Sequence, residues 1–211
     1  MKKLISLSLL LFPFFYISSE IFETVEIYFP NGQIGEKGEM LEGQQHGYWE
    51  FFYNNGNLKE RSNWLYGLEE GLVESFYRNG NLKLAGNYNQ GNQSGLWKAY
   101  FVGGQMNESA SWGEGKLQGP FSSYYENGNV QREGSFTNDI QEGIWKFFYS
   151  NGLPHMAGSF QEGRMSGEWV FYDDQGRLES KGTYANGLED GLFSSYYENG
   201  NVQREGSFTN D

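Results

Sequence analysis

The side chains best suited to chemistry in this sequence are adjacent carboxylates and two histidines. Glu69-Glu70 and Glu189-Asp190 are acidic pairs, a residue type that supplies the acid and base of glycosidases or the ligands of calcium. His46 or His155 could act as a general base. No EF-hand-like string of ligands accompanies the acids, and the histidines have no recurring partner. We interpret all of them as surface residues and expect no catalytic residue, no cofactor and no metal site.

The composition narrows the possible functions further. The 211 residues include no cysteine, which excludes disulfides, thiolate metal sites and cysteine nucleophiles. A net charge of −12 is a poor match to nucleic acid or to an anionic lipid surface, since both are bound through Lys and Arg. With 37% hydrophobic residues the chain should fold. These features favour a folded protein that is not an enzyme.

Residues 1–19 have the pattern of a secretory signal peptide. Met1-Lys2-Lys3 is basic, Leu4 to Ile17 carries no charge, and Ser18-Ser19 is small. The uncharged run is short for a membrane span, although an uncleaved anchor is the alternative. Cleavage would remove two lysines and take the net charge from −12 to −14. The pattern predicts export to a periplasmic, cell-surface or extracellular location, with a bacterial source.

Glycines recur with a period of 24 residues over the remainder of the chain. A second glycine series follows the first by nine residues and is often preceded by Asn. A constant period of this kind is typical of a single repeat array. We expect a partial repeat or cap over 20–46 and seven repeats over 47–211. The first series comprises Gly47, Gly71, Gly95, Gly119, Gly143, Gly167 and Gly191.

Each repeat has the pattern of a β-hairpin. Asn55-Gly56 separates two aromatic-rich runs, and Asn-Gly favours a type I′ turn with positive φ at both residues. Such a turn would pair Tyr53 with Leu58, and Trp49 with Ser62. The sequence therefore predicts an all-β protein in which 24-residue hairpin repeats form one elongated, twisted antiparallel sheet.

One face of the predicted sheet, here called the aromatic–glycine face, combines large rings with glycines. In this register the partners of the Trp49 position are mostly Gly, and those of the Gly47 position are all aromatic. A ring can then cover bare backbone on the strand opposite, an arrangement called aromatic rescue. We interpret this face as the core. As an alternative, its tryptophans could stack on a sugar or a choline-like head group; they are Trp49, Trp97, Trp145 and Trp169.

The opposite face, here called the polar face, carries one aromatic position in every repeat. In the predicted register its partners are mostly polar, for example Lys59, Gln131 and His155. An aromatic row on a polar face is typical of an interaction surface. Packing on the stems of the opposite side chains is the alternative. The row comprises Phe52, Phe76, Tyr100, Tyr124, Phe148, Tyr172 and Tyr196.

The repeat also resembles a known family. The segments Glu133-Gly134-Ser135-Phe136 and 142–152, which reads EGIWKFFYSNG, resemble the MORN repeat. The closer resemblance is to the bacterial variant found in YwqK-family antitoxin-like proteins, and it covers about residues 21–211. It implies a sheet of consecutive hairpins and a scaffold that binds proteins or lipid head groups.

Residues 121–139 and 193–211 are identical, and the pattern stops abruptly at Asp211. We interpret the abrupt stop either as a truncated reading frame or as an end strand that pairs with a partner or with a second copy, the latter giving edge-to-edge self-association at the last repeat. We expect a scaffold for a protein partner, without nucleic acid. The alternatives are a module that binds envelope glycan or a choline-like lipid head group, and an antitoxin or immunity protein paired with a toxin.

Overall fold

A computed structural model describes residues 22–209. The predicted signal peptide and the last two residues, Asn210 and Asp211, lie outside the described residues. The chain forms sixteen β-strands: β1 Phe22–Tyr28, β2 Ile34–Leu41, β3 Gln44–Phe52, β4 Leu58–Leu65, β5 Leu68–Phe76, β6 Leu82–Asn89, β7 Asn92–Tyr100, β8 Met106–Gly113, β9 Lys116–Tyr124, β10 Val130–Thr137, β11 Ile140–Phe148, β12 Pro154–Gln161, β13 Arg164–Tyr172, β14 Leu178–Ala185, β15 Leu188–Tyr196 and β16 Val202–Phe208.

The strands form a single open sheet in which the spatial order is the chain order. Every neighbouring pair is antiparallel, for example β1 with β2 and β15 with β16. The predicted all-β array of tandem hairpins is therefore confirmed. The segment before Gly47 contributes β1 and β2, which form a hairpin like those that follow.

The loop inside each hairpin differs from the predicted type I′ turn. In the first full repeat, Gly56 N donates to Tyr53 O at 2.9 Å and Tyr53 N donates to Asn57 O at 2.8 Å. Gly56 has φ of 86°, whereas Asn55 is absent from the residues with positive φ. This is a three-residue loop, a type I turn followed by a left-handed glycine. The prediction was wrong because Asn-Gly is also the natural end of this longer loop.

Type I′ turns do occur, but between the repeats. Leu65 pairs with Leu68 around Tyr66-Gly67, whose φ values are 49° and 78°. Six of the seven inter-repeat turns of the described chain end in Gly at the second position. The exception is Asn138-Asp139, with φ values of 50° and 68°. There Asp139 Oδ1 accepts a hydrogen bond from Leu117 N at 2.7 Å, which anchors the glycine-free turn to β9.

The register inside the hairpin is confirmed over most of its length. Gly47 pairs with Trp64 and Trp49 pairs with Ser62, as predicted. Beyond Phe51 the register shifts, so that Phe52 pairs with Leu58 and leaves Lys59 as an extra residue. The predicted pairs Tyr53 with Leu58 and Phe52 with Lys59 are therefore wrong. The same shift recurs in the other repeats and replaces the predicted polar partners, including Gln131 and His155, with apolar ones.

The core lies on the aromatic–glycine face, where the tryptophan rings cover glycines. A Cβ added at Gly134 would lie 2.2 Å from Trp145 Cδ2, so the ring rests on bare backbone. The indole Nε1 donates to Ser135 O at 3.1 Å. Trp145 is fully buried. The covered glycine lies on the strand before the tryptophan, and not on its hairpin partner as predicted, so this contact joins one repeat to the previous one.

The size of the covering side chain follows the residue beneath it. Tryptophan covers glycine at four places: Trp49 over Gly38, Trp97 over Gly86, Trp145 over Gly134 and Trp169 over Gly158. Where the covered residue is larger than glycine, the side chain that covers it is smaller than tryptophan. Ser62 faces Val73, and Ala110 faces Phe121. Close packing of the interior requires such matching of volumes.

At four places a tyrosine hydroxyl joins one repeat to the following one. Tyr77 Oη donates to Tyr100 O at 2.7 Å, and Tyr149 Oη donates to Tyr172 O at 2.8 Å. Tyr53 and Tyr125 make the same bond. Together with the four indole bonds to the previous repeat, these hydrogen bonds connect neighbouring repeats along the sheet.

Candidate functional site

The predicted aromatic row lies on the polar face, near the hairpin loops. All seven rings are partly buried. The Lys37 ammonium sits 5.6 Å from the Phe52 ring centroid, and the Arg61 guanidinium 5.5 Å from that of Phe76. Cations over ring faces stabilise such contacts by about 0.5–1 kcal/mol when exposed. The cross-strand partners of the row are apolar: Leu58, Leu82, Met106, Val130, Pro154, Leu178 and Val202.

A ladder of alternating charges runs beside the first rings of this row. Lys37 Nζ lies 2.8 Å from Glu50 Oε2, and Arg61 forms an ion pair with Glu74. Glu50 and Arg61 are also cross-strand partners. The hydrogen bond and charge of Glu50 raise the pKa of Lys37. These pairs are solvent-exposed, so each contributes little to the stability of the fold. They do hold the charged groups of neighbouring strands in fixed positions on the polar face.

Sequence reasoning missed a second row on the polar face, here called the aliphatic row because four of its seven members are Leu or Ile. It occupies the position directly after each glycine of the first series. Ile144 is 69% exposed and Leu192 is 76% exposed, while Leu72 and Leu96 are about half exposed. The signal was present in the sequence as an apolar residue in six of seven repeats. The row comprises Tyr48, Leu72, Leu96, Pro120, Ile144 and Leu192, with Glu168 as its polar member.

Shallow depressions lie beside the aliphatic row at equivalent positions. One of about 350 Å³ is lined by Tyr48 and Glu50, and one of about 510 Å³ by Ile144 and Lys146. These two pairs are four periods apart in the sequence. Each depression is also lined by one core glycine, Gly38 in the first and Gly134 in the second. Successive members of the row are two strands apart, roughly 9.6 Å at about 4.8 Å per strand, so the face offers the same apolar feature at a regular spacing.

The tryptophans of the aromatic–glycine face are held in the core. Trp145 and Trp169 are 0% exposed, and Trp49 and Trp97 are also buried. Phe136 and Phe160 pack edge-on against the rings of Trp145 and Trp169 at 5.1 Å between centroids. In this arrangement the indole faces contact protein atoms. A sugar or head group could stack on them only after these contacts open.

The acids and histidines considered for chemistry are dispersed. Glu70 Oε2 accepts a bond from Gln90 N at 2.8 Å, which ties one inter-repeat turn to the next. His155 packs on Tyr149 at 4.5 Å between ring centroids, and His46 lies between Phe22 and Tyr66. Among the residues that the structure describes, no three His, Asp or Glu side chains are grouped closely enough to hold a metal ion.

Burial raises the pKa of three carboxyls on the aromatic–glycine face, those of Glu60, Glu69 and Glu108. Burial raises the pKa of Glu60, despite the opposing effect of the Lys59 and Lys83 ammonium groups. Burial also raises the pKa of Glu69, and the negative charge of Glu60 raises it further. The two acids lie near β4 and β5, where Val73 takes the place of a tryptophan. These partly buried carboxyls make this part of the aromatic–glycine face sensitive to pH.

Comparison with protein families identifies the repeats. The profile of the MORN repeat variant matches residues 45–65, 69–90, 117–138, 141–152, 165–186 and 189–210, which together make up more than half of the chain. The chain belongs to the MORN repeat variant family. A search of curated proteins finds no match. Between residues 22 and 209, no helix is long and apolar enough to cross a bilayer.

Membership of this family agrees with the geometry of the sheet. The matched segments begin near the glycine of the first series, and all but 141–152, which ends in its hairpin loop, continue to the end of the hairpin. MORN repeats suggest a repeat-based role in binding or scaffolding. The polar face, with its two apolar rows and its charge ladder, is therefore the candidate site of such a role.

Proposed function

We propose that this chain is an exported, non-enzymatic MORN repeat scaffold that binds another protein on its polar face. The observation that carries the proposal is the exposed aliphatic row, which repeats at one position along the sheet. Side chains of this type have no role in the core, and a contiguous exposed apolar surface is typical of an interaction site. Export is proposed from the signal-peptide pattern of residues 1–19.

The aromatic row supplies a second part of the proposed surface. Its rings are partly buried against apolar partners such as Leu82 and Met106, so they also stabilise the sheet. The aliphatic row has polar or small partners, for example Asn87 opposite Leu72 and Ser159 opposite Ile144. Removing aliphatic side chains should therefore affect binding more selectively than removing the aromatic ones.

The test is a crosslinking pull-down from the envelope fraction of the source, with the full chain as bait and mass spectrometry as the readout. The variant Leu72→Ser, Leu96→Ser and Ile144→Ser removes three members of the aliphatic row. If each contributes about 1 kcal/mol on burial, the partner should bind roughly a hundredfold more weakly.

A matched control carries the same residue types at the inter-repeat turns. Leu68, Ile140 and Leu188 are also about half exposed or more, but they lie away from the row. Their replacement by Ser should leave capture unchanged. Equal capture by the row variant and by the native chain would refute the polar face as the binding site.

A third bait tests the aromatic row. The variant Phe76→Ser, Tyr100→Ser and Tyr124→Ser should weaken capture, with circular dichroism to establish that the sheet is retained. Capture of a toxin encoded beside this chain would assign the antitoxin or immunity role. Retention of wall glycan or lipid, with no protein enriched, would replace the protein scaffold by glycan or head-group binding.

A further inference from the structure

Six of the eight hairpin loops contain the same dipeptide, Asn-Gly, in two different hydrogen-bonding environments. Asn-Gly is chemically labile, because glycine has no Cβ to shield its backbone nitrogen from the preceding side chain. In every such loop of the described chain, the Asn Oδ1 accepts a bond from the amide two residues on, for example Asn57 N to Asn55 Oδ1 at 3.2 Å. The loops differ in the environment of the Asn amide nitrogen.

Most of these asparagines also donate to the neighbouring loop. Asn79 Nδ2 donates to Val102 O at 3.2 Å, Asn127 Nδ2 to Ser150 O at 2.6 Å and Asn151 Nδ2 to Asp174 O at 2.8 Å. Each of these side chains is fixed at both ends. Rotation of the side chain toward its own glycine would break the bond between the repeats.

Asn55 lacks this second bond within residues 22–209. The equivalent carbonyl, Arg78 O, accepts from Asn57 Nδ2 at 2.8 Å but not from Asn55. The next hairpin has the same residues around its dipeptide, Asn79-Gly80-Asn81-Leu82, but there both asparagines donate to Val102 O. The two loops therefore differ in side-chain bonding and hardly at all in local sequence.

We propose that Asn55 is a site of spontaneous modification, converted to aspartate and isoaspartate ahead of Asn79, Asn127 and Asn151. The Gly56 nitrogen attacks Asn55 Cγ and loses its proton; the bond from Cγ to Nδ2 breaks and ammonia leaves. Water then opens the resulting succinimide at either carbonyl. Opening at one carbonyl gives aspartate and at the other isoaspartate, and no oxidant or further reactant is required.

The difference in rate follows from the bond to the next loop. A typical hydrogen bond contributes about 1 kcal/mol, which changes the population of the side-chain conformation that can react by about fivefold. Asn55 should therefore react about fivefold faster than Asn79 in the folded chain. Asn199 also makes no such bond within the described part of the chain, whereas Asn127, in the same 19-residue sequence, does. The pair supplies a second comparison at constant sequence, with Asn199 expected to react faster.

The product would act on the hairpin itself. Isoaspartate lengthens the main chain inside the loop whose bonds, Gly56 N to Tyr53 O and Tyr53 N to Asn57 O, set the strand pairing. Modification at Asn55 should thus loosen the second hairpin of the array while the bonds of the other loops stay intact.

The experiment incubates the full chain at mildly alkaline pH and follows each asparagine by peptide mapping with tandem mass spectrometry. The same incubation in urea gives the rates without the fold. The expected result is a fivefold faster loss of Asn55 than of Asn79 in the folded chain, and similar rates in urea. Equal rates in the folded chain would overturn the proposal, as would the same difference in urea.

Discussion

Replacing Gly134 with Ala tests the fit between tryptophan and glycine that joins the repeats. The new Cβ would lie 2.2 Å from Trp145 Cδ2, well inside van der Waals contact. Trp145 is fully buried among Phe121, Phe136 and Phe160, so the ring has nowhere to move without displacing a neighbour. Overpacking of a core costs typically 1–3 kcal/mol, and this contact should cost about 3 kcal/mol.

A double-mutant cycle separates this steric effect from a general effect of alanine. Trp145→Phe alone loses the indole bond to Ser135 O and leaves a small cavity, at a cost of about 2–3 kcal/mol. Gly134→Ala with Trp145→Phe recreates the pair that Ala110 and Phe121 form elsewhere in this chain. The double variant should therefore lose about 3 kcal/mol and not about 6 kcal/mol.

The control is Gly206→Ala, in the same local sequence, Arg-Glu-Gly-Ser-Phe, on β16. No heavy atom lies within 4 Å of a Cβ added at Gly206, so the free energy of unfolding should change by less than about 0.5 kcal/mol. Urea unfolding followed by circular dichroism gives the stabilities, and hydrogen exchange in β10 and β11 gives the local opening. Additive losses in the double variant, or equal losses from the two Gly→Ala changes, would refute the reasoning.

Two further predictions concern the tyrosine bonds and the buried acids. Tyr77→Phe removes the bond to Tyr100 O and should cost about 1 kcal/mol in urea unfolding; a change near zero would show that the hydroxyl does not couple the repeats. Burial raises the pKa of Glu60, so its carboxyl destabilises the fold when ionised above that pKa, and this penalty disappears as the pH falls toward the unfolded value. Glu60→Gln should therefore raise the free energy of unfolding at pH 7, and the stabilisation that the native chain gains on acidification should be smaller in the variant. An unchanged pH profile would contradict the effect of burial.

The strand pairing could be predicted because the repeat supplies many independent copies of one pattern. Gly47 opposite Trp64 and Trp49 opposite Ser62 follow from alternation and one turn position. The loop could not be assigned from Asn55-Gly56, since the dipeptide fits two loops that differ by one residue. Because the actual loop is one residue longer, Lys59 is unpaired and Leu58 lies opposite Phe52.

The identity of the covered glycine and the aliphatic row depended on contacts between repeats. Trp145 has glycines on both neighbouring strands, and only the direction of its ring selects Gly134 over Gly158. Leu72 and Ile144 directly precede the core residues Val73 and Trp145, so alternation places them on the polar face, whereas their exposure depends on the neighbouring strands. Local patterns thus set the register within a hairpin, while the contacts between hairpins required coordinates.

The strictly sequential strand order has a consequence for how the chain acquires its structure. Each strand contacts extensively only the one before it and the one after it, so no pairing waits for a distant part of the chain. Closure of short loops is fast, and folds built from local pairing reach the native state quickly. The hairpins can therefore form in the order in which they are synthesised, each using the previous one as its template. On the ribosome, the folded sheet would gain two strands at its free edge with every 24 residues synthesised.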